Sequence, residues 1–241
     1  MQTTLCLDFG NTRLKYAVFN GKELKEVIEL DDDNTATLEN VVALHKPSKS
    51  ILSSVINHNP EIETLLGKKT KFHKLTDKSK LPFTTPVGKP ETIGADRLAL
   101  VAAAVYFYPR QHNLIVGLGS CITFNFVNKF HEFLGGSISP GLEMRFRAMN
   151  NFTAKLPLVN ADSNFPLIGY DTKTNLHSGV ILGMAKEIDG IAEEYGLRYV
   201  NFNVHLTGGD MRFFVPLLKK KIFANPHLIF NGLYALCETN V

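Results

Sequence analysis

The chain opens on apolar and polar positions that alternate with the period of two expected of strands: Thr3 to Asp8, Leu14 to Phe19 and Glu23 to Leu30. Asn20-Gly21, between the last two, is a hairpin signal because both residues accept positive φ. Asp8-Phe9-Gly10-Asn11-Thr12 joins the first two and becomes the tip of the first hairpin. The pattern then predicts a helix over Thr35 to Leu44, an apolar strand over Ile51 to Val55, and a helix opening at Asn59-Pro60, where proline suits the first turn. Pro82, Pro86, Gly88 and Pro90 forbid regular structure between Thr76 and Glu91, so this stretch is a loop. It runs into Gly94-Ala95-Asp96-Arg97, after which Leu98, Val101, Ala102 and Val105 follow the i, i+3, i+4, i+7 pattern of an amphipathic helix ended near Pro109. Asp96 thus falls at a helix start.

The second half restarts the first. Leu114 to Cys121 resembles Leu5 to Thr12 at a constant offset of 109 residues, pairing Gly119 with Gly10 and Ser120 with Asn11. Phe124 to Val127, Asn128-Lys129 and a strand toward Phe133 repeat the layout of the second and third strands. Such a duplication predicts two similar α/β halves, 1–109 and 110–241, facing each other across a nucleotide cleft. Helices over Leu142 to Asn150, Thr172 to Tyr195 and Asn231 to Glu238, and a strand over Asn203 to Thr207, complete the second.

The composition of the 241 residues, 44% hydrophobic and 20% charged, is that of a chain that folds throughout. A net charge of +3 leaves no nucleic-acid footprint, and Lys219-Lys220-Lys221 reads as the solvated end of a helix. Cys6, Cys121 and Cys237 are scattered and odd in number, as in a cytoplasmic protein with reduced thiols. The longest apolar run, Leu98 to Tyr108, falls short of the roughly 20 residues a membrane span requires.

Phosphoryl transfer requires an anion cradle, a divalent cation and a base for the attacking hydroxyl. Gly10, Asn11 and Thr12 offer backbone N–H groups to phosphate, and Asp8 offers a carboxylate to Mg²⁺, which takes few protein ligands. Alone, the same residues make an ordinary hairpin. Gly135-Gly136-Ser137-Ile138-Ser139-Pro140-Gly141 permits close substrate approach or a tight strand-to-helix turn, and Thr207-Gly208-Gly209-Asp210 ends a strand in a turn that suits adenosine. Asp96 fits a helix-capping carboxylate as well as a base.

In combination, Asp8 to Thr12 with Lys15, Gly94 to Arg97, Gly119-Ser120 with Thr123, Gly135 to Gly141, and Gly169 through Thr172 to Ser178-Gly179 resemble type III pantothenate kinase, in the family's order and over almost the whole chain. The resemblance implies a duplicated ribonuclease H-like (actin-like ATPase) α/β fold, a homodimer, and ATP-dependent phosphorylation of pantothenate with Mg²⁺ and a monovalent cation, K⁺ or NH₄⁺. By position it makes Asp8, Phe9, Gly10, Asn11, Thr12, Arg13, Leu14 and Lys15 the phosphate loop for ATP, with Ser120 as a second phosphate contact. Asp96 becomes the general base, kept ionised by the helix start that lowers its pKa. Gly94, Ala95 and Arg97 position pantothenate, the guanidinium suiting its carboxylate, and Thr172 adds a further contact.

Two carboxylates common in relatives are missing from the second phosphate segment. Relatives read Asp-x-Gly-Thr-Ala-x-Thr-x-Asp where this chain has Gly117 to Asn125, so the aspartate associated with the monovalent cation is Gly117 here. Val87 stands where many relatives have a substrate-facing tyrosine. These departures keep open a non-catalytic, ligand-binding relative, against which the retained Asp8, Asp96, Arg97 and Thr172 speak.

Overall fold

The computed structural model describes residues 2–86 and 88–241. Val87, expected at the substrate, lies outside the described residues. The chain runs β1 (Thr3–Phe9), β2 (Leu14–Asn20), β3 (Glu23–Leu30), α1 (Thr35–His45), β4 (Lys49–Ser54), α2 (Glu61–Lys69), β5 (Lys71–Lys74) and α3 (Ala95–Phe107). The five strands form one sheet in the order β3-β2-β1-β4-β5. β1 and β3 are antiparallel to β2, whereas β4 is parallel to both β1 and β5.

Alternation along β1 sorts its side chains onto two faces. Leu5, Leu7 and Phe9 join Tyr16, Val18 and Leu52 and the apolar sides of α1 and α2 in one core. Cys6 and Asp8 point to the opposite face, as do Ile51 and Ser53, their partners on β4. Onto this second face pack α3 and the last helix.

α3 is not the one-sided helix its spacing suggests. Ala95 and every residue from Leu98 to Val105 are buried, as expected of a helix enclosed on all sides. Its second partner comes from the far end of the chain, where a helix over Leu228–Asn240 crosses it so closely that a Cβ on Gly232 would lie 1.9 Å from the Ala99 carbonyl oxygen. His227–Val241 therefore belongs with the first compact unit, alongside the residues up to Arg110 and Val127–Leu134. The pattern alone had placed it in the second half.

The second unit comprises Gln111–Phe126 and Gly135–Pro226. The chain continues as β6 (His112–Leu118), β7 (Cys121–Val127), β8 (Phe133–Pro140), α4 (Leu142–Asn151), α5 (Thr172–His177), α6 (Gly183–Arg198), β9 (Phe202–Thr207), α7 (Met211–Phe214) and β10 (Phe223–Ala224), and the final helix, of the first unit, is α8. The strand order β10-β9-β6-β7-β8 repeats that of the first sheet, and β6/β9 and β9/β10 are parallel like β1/β4 and β4/β5. This is the duplicated ribonuclease H-like arrangement of actin-like ATPases.

Three local expectations are corrected. Gly135 to Gly141, for which a tight turn is one of two readings, is mostly strand β8, which runs on through Gly135 (φ 96°) and Gly136 (φ 156°). The helix from Thr172 is interrupted by a π segment, Ser178–Leu182, between α5 and α6. Lys219 to Lys221 lies outside any helix: a 3₁₀ turn, Val215–Leu217, stops before it, and the Asp189 carboxylate accepts from the Lys219 and Lys220 backbone N–H groups. Among the described residues, no helix is long and apolar enough to cross a membrane, and all three cysteines are free.

Candidate active site

Asp8 stands one residue before the end of β1, between Lys15 on β2 and Ser53 on β4. Burial pushes its carboxyl up to about 7, the negative charge of Asp96 adds to this, and Ser53 and Lys15 partly offset it. Asp96 occupies the first turn of α3, after Gly94 as N-cap and Ala95 as the first, buried residue. Its carboxyl is raised by burial, which outweighs the backbone N–H of Arg97, the Arg97 guanidinium and its own N–H. The expectation that the helix start would hold this group low is overturned. The first turn lies against the sheet, and desolvation exceeds the helix-terminus effect.

The segment expected to receive phosphate is a tight turn closed by Gly10 N–H donating to the Arg13 carbonyl at 3.1 Å. Asn11, Thr12 and Arg13 are exposed at its tip, Phe9 is buried below, and Leu14 and Lys15 begin β2 half-buried. Arg13 pairs with Glu29 at 3.2 Å. Arg97 turns its guanidinium over the Phe133 ring at 5.7 Å, a cation–π contact that keeps the planar fork oriented. The first unit thus brings Asp8, Lys15, Gly94, Ala95 and Asp96 to one end of one sheet.

In the second unit, three predicted segments converge at the end of β6. Gly119 N–H donates to the Cys121 carbonyl at 3.1 Å, and Gly141 N–H donates to the Ser120 carbonyl at 3.1 Å. Gly208, at φ 102°, packs so near this turn that a Cβ would lie 2.1 Å from the Leu118 carbonyl oxygen. Only glycine fits there. Arg145 of α4 donates to the Pro140 carbonyl and the Ser139 hydroxyl, each at 2.8 Å, and pairs with Glu187 of α6. Thr172 is the exposed first residue of α5, behind the Asp171 cap that accepts from Thr174 N–H at 2.7 Å.

Among the described residues, no three His, Cys, Asp or Glu side chains gather as a metal cage. Asp8 and Asp96 offer carboxylates whose ionised forms are under-compensated, which suits a cation held by few protein ligands and by phosphate oxygens. A groove of about 730 Å³ lined by Val42, Lys46, Leu65 and Lys69 holds none of these groups. Reading by motif missed Ser53 and Arg145. The signal for Ser53 was a pair of serines at the end of an otherwise apolar strand; Arg145 had none.

The family model of type III pantothenate kinase matches residues 4–194. A type III pantothenate kinase of Christiangramia forsetii is 40% identical over 238 residues, which cover 98% of each chain. Among solved structures, a Campylobacter jejuni protein described as a Baf family transcriptional activator aligns over 98% of both chains with a TM-score of 0.64 at 20% identity. A glucokinase from an Antarctic psychrotroph aligns over 99% of both with a TM-score of 0.53 at 10% identity. At such identities these structural likenesses establish the actin-like fold alone. The sequence matches reach further, over nearly the full length: the chain belongs to the type III pantothenate kinase family.

Proposed function

We propose that the chain transfers the γ-phosphoryl group of ATP to the primary hydroxyl of pantothenate, giving 4′-phosphopantothenate on the way to coenzyme A, with Asp96 as the base. The observation that carries this reading is the placement of Asp96 and Asp8 on one face of the first sheet, at the end where the phosphate loop turns. A base works best with a pKa near the operating pH, and burial moves the Asp96 carboxyl in that direction. Asp96 takes the hydroxyl proton. Arg97 holds the pantothenate carboxylate, the Gly94 and Ala95 backbone lines the reacting end, and Thr172 adds a hydroxyl contact. The turn from Phe9 to Leu14, with Lys15, receives the ATP phosphates, and Ser120 supplies a second donor to them.

Asp8 holds Mg²⁺ in this reading, directly or through water. Bound there, the ion neutralises charge that develops on the phosphoryl oxygens. No finding favours the non-catalytic alternative. The missing carboxylate at Gly117 gives a weak dependence on monovalent cations. A homodimer is supported by the large apolar side chains left exposed along residues 152–170, namely Phe152, Leu158, Leu167, Ile168 and Tyr170, which a second copy would cover.

The test is ADP release from purified protein with and without pantothenate, across Na⁺, K⁺ and NH₄⁺. ADP release that requires pantothenate supports the reading. Silence with pantothenate and ATP present in every salt sinks it, and light scattering that gives a monomer at micromolar concentration removes the dimer.

A further inference from the structure

Among the described residues, one buried side-chain polar atom lacks a hydrogen-bond partner: the hydroxyl of Ser53. Such a group gives up its water without return, and alanine at the same place would avoid the cost. Its neighbours on the strand are satisfied. Ser50, equally buried, bonds the Thr70 hydroxyl at 2.5 Å, and Ser54 bonds His58 Nδ1 at 2.8 Å. Packing alone therefore explains Ser50 and Ser54 but not Ser53.

Ser53 faces Asp8 across the parallel β1/β4 pair, and directly paired residues share a face. Two residues on, Val55 and the Asp96 carboxylate meet at Gly94: a Cβ there would be 3.7 Å from Val55 Cγ1 and 2.5 Å from Asp96 Oδ1. The unpartnered hydroxyl is thus enclosed on the face that bears both carboxylates. It lies near enough to favour ionised Asp8, yet short of bonded geometry.

We propose that Ser53 is a positioning residue of the phosphoryl-transfer site, donating its hydroxyl to Asp8 when that carboxylate turns toward a divalent cation and so fixing which carboxylate oxygen faces the ion. The inference rests on the reading of Asp8 as the group that holds Mg²⁺. An ion of strict octahedral demand gains when its few protein ligands are held from behind, and loss of such a second contact typically costs about 10- to 100-fold in metal affinity.

The experiment is ADP binding by calorimetry over a Mg²⁺ series, with thermal melts, for the wild type, Ser53→Ala, Ser53→Cys, Asp8→Asn and the double variant Asp8→Asn with Ser53→Ala. Ser53→Ala is expected to raise the Mg²⁺ needed for half-maximal ADP binding by about 10-fold. Metal-free ADP binding should be unchanged, and the melting temperature equal or higher. Ser53→Cys keeps the volume without a strong donor and should behave as Ser53→Ala. In the Asp8→Asn background the serine change should add nothing. An unchanged Mg²⁺ requirement in Ser53→Ala, wild-type behaviour of Ser53→Cys, or a fall in melting temperature that tracks a fall in metal-free binding overturns the inference. If Asp8→Asn shifts the Mg²⁺ requirement while Ser53→Ala does not, only the inference falls. If Asp8→Asn shifts nothing, the metal role of Asp8 falls and the inference with it.

Discussion

At the end of β1 the chain sets Asp8 against Ser53 of β4; at the corresponding place in the second sheet, the end of β6, it sets Gly117 against Thr207 of β9. The strand order and the parallel pairing are the same in both. The electrostatics are not. The first site buries a carboxyl pushed up to about 7, with a second raised carboxyl at Asp96. The second has only neutral groups at these positions: Thr207 is buried, and the buried Asn125 donates to the Ile115 carbonyl and the Thr123 hydroxyl. Duplication has kept the backbone frame while charge stays in one copy. The frame costs little to repeat, whereas a buried carboxylate destabilises the chain and persists where chemistry uses it.

Removing Asp96, the proposed base, should break this asymmetry most severely. Asp96→Asn is nearly isosteric and should lower pantothenate-dependent ADP release by about 10²- to 10⁴-fold while leaving the circular dichroism spectrum unchanged. Turnover within a few-fold of the wild type would remove Asp96 from the chemistry and leave the first site no more catalytic than the second.

Asp8→Asn should also abolish useful turnover, and it carries a signature in stability. A carboxyl whose folded-state pKa stands above its unfolded value of 3.8 is favoured as the acid. Its contribution is fully present below pH 4 and is lost as the pH rises through about 7. The ligand-free wild type should therefore melt lower at pH 8 than Asp8→Asn, by a difference on the order of 2–4 kcal/mol that shrinks toward pH 4. Equal melting at pH 8 would show that the first site stores no such cost.

The second sheet has the opposite acid response. Burial pushes His205 down to about 4, and its ring bonds Asn113 Oδ1 at 2.9 Å. Its neutral form is favoured in the fold, so this stability is full above about pH 6.5 and is lost as the pH falls toward 4. Replacing it by glutamine should flatten the acid limb of the melting profile by on the order of 1–3 kcal/mol and leave the loss that Asp8 causes between about pH 4 and 7 in place. An acid limb unchanged in His205→Gln would assign that sensitivity to other groups.

The legible parts of the molecule were those decided locally. Alternation from Thr3 to Leu30 locates the first hairpins, and the duplicated glycines locate the turns after β1 and β6, because each depends on a few adjacent residues. What sequence could not convey depends on partners distant along the chain. The full burial of α3 needs α8, which begins only at Leu228. The raised pKa of Asp96 follows from burial of its own first turn, whereas its position at a helix start, visible in the sequence, argues for the reverse. Ser53 became informative only through the β1/β4 register, which no local pattern specifies. In β8 the fault was different: glycines that break a strand by propensity are held in it by pairing with β7.

Gly117→Asp sharpens the comparison with the smallest expected effect. Gly117 is partly exposed and faces the side of β6 opposite Val116 and Leu118, so an aspartate there would occupy in the second sheet the place Asp8 holds in the first. Without it, the rate should differ little among Na⁺, K⁺ and NH₄⁺. With it, a carboxylate is available to a monovalent cation, and K⁺ should raise turnover over Na⁺ while the unliganded protein loses on the order of 1 kcal/mol, more at pH 8 than at pH 5. The pH trend matters as much as the size, because it would show that the second site imposes the same burial cost once a carboxylate is present. Strong K⁺ activation of the wild type would mean that another ligand already serves the cation, and that the loss at Gly117 has been made good elsewhere.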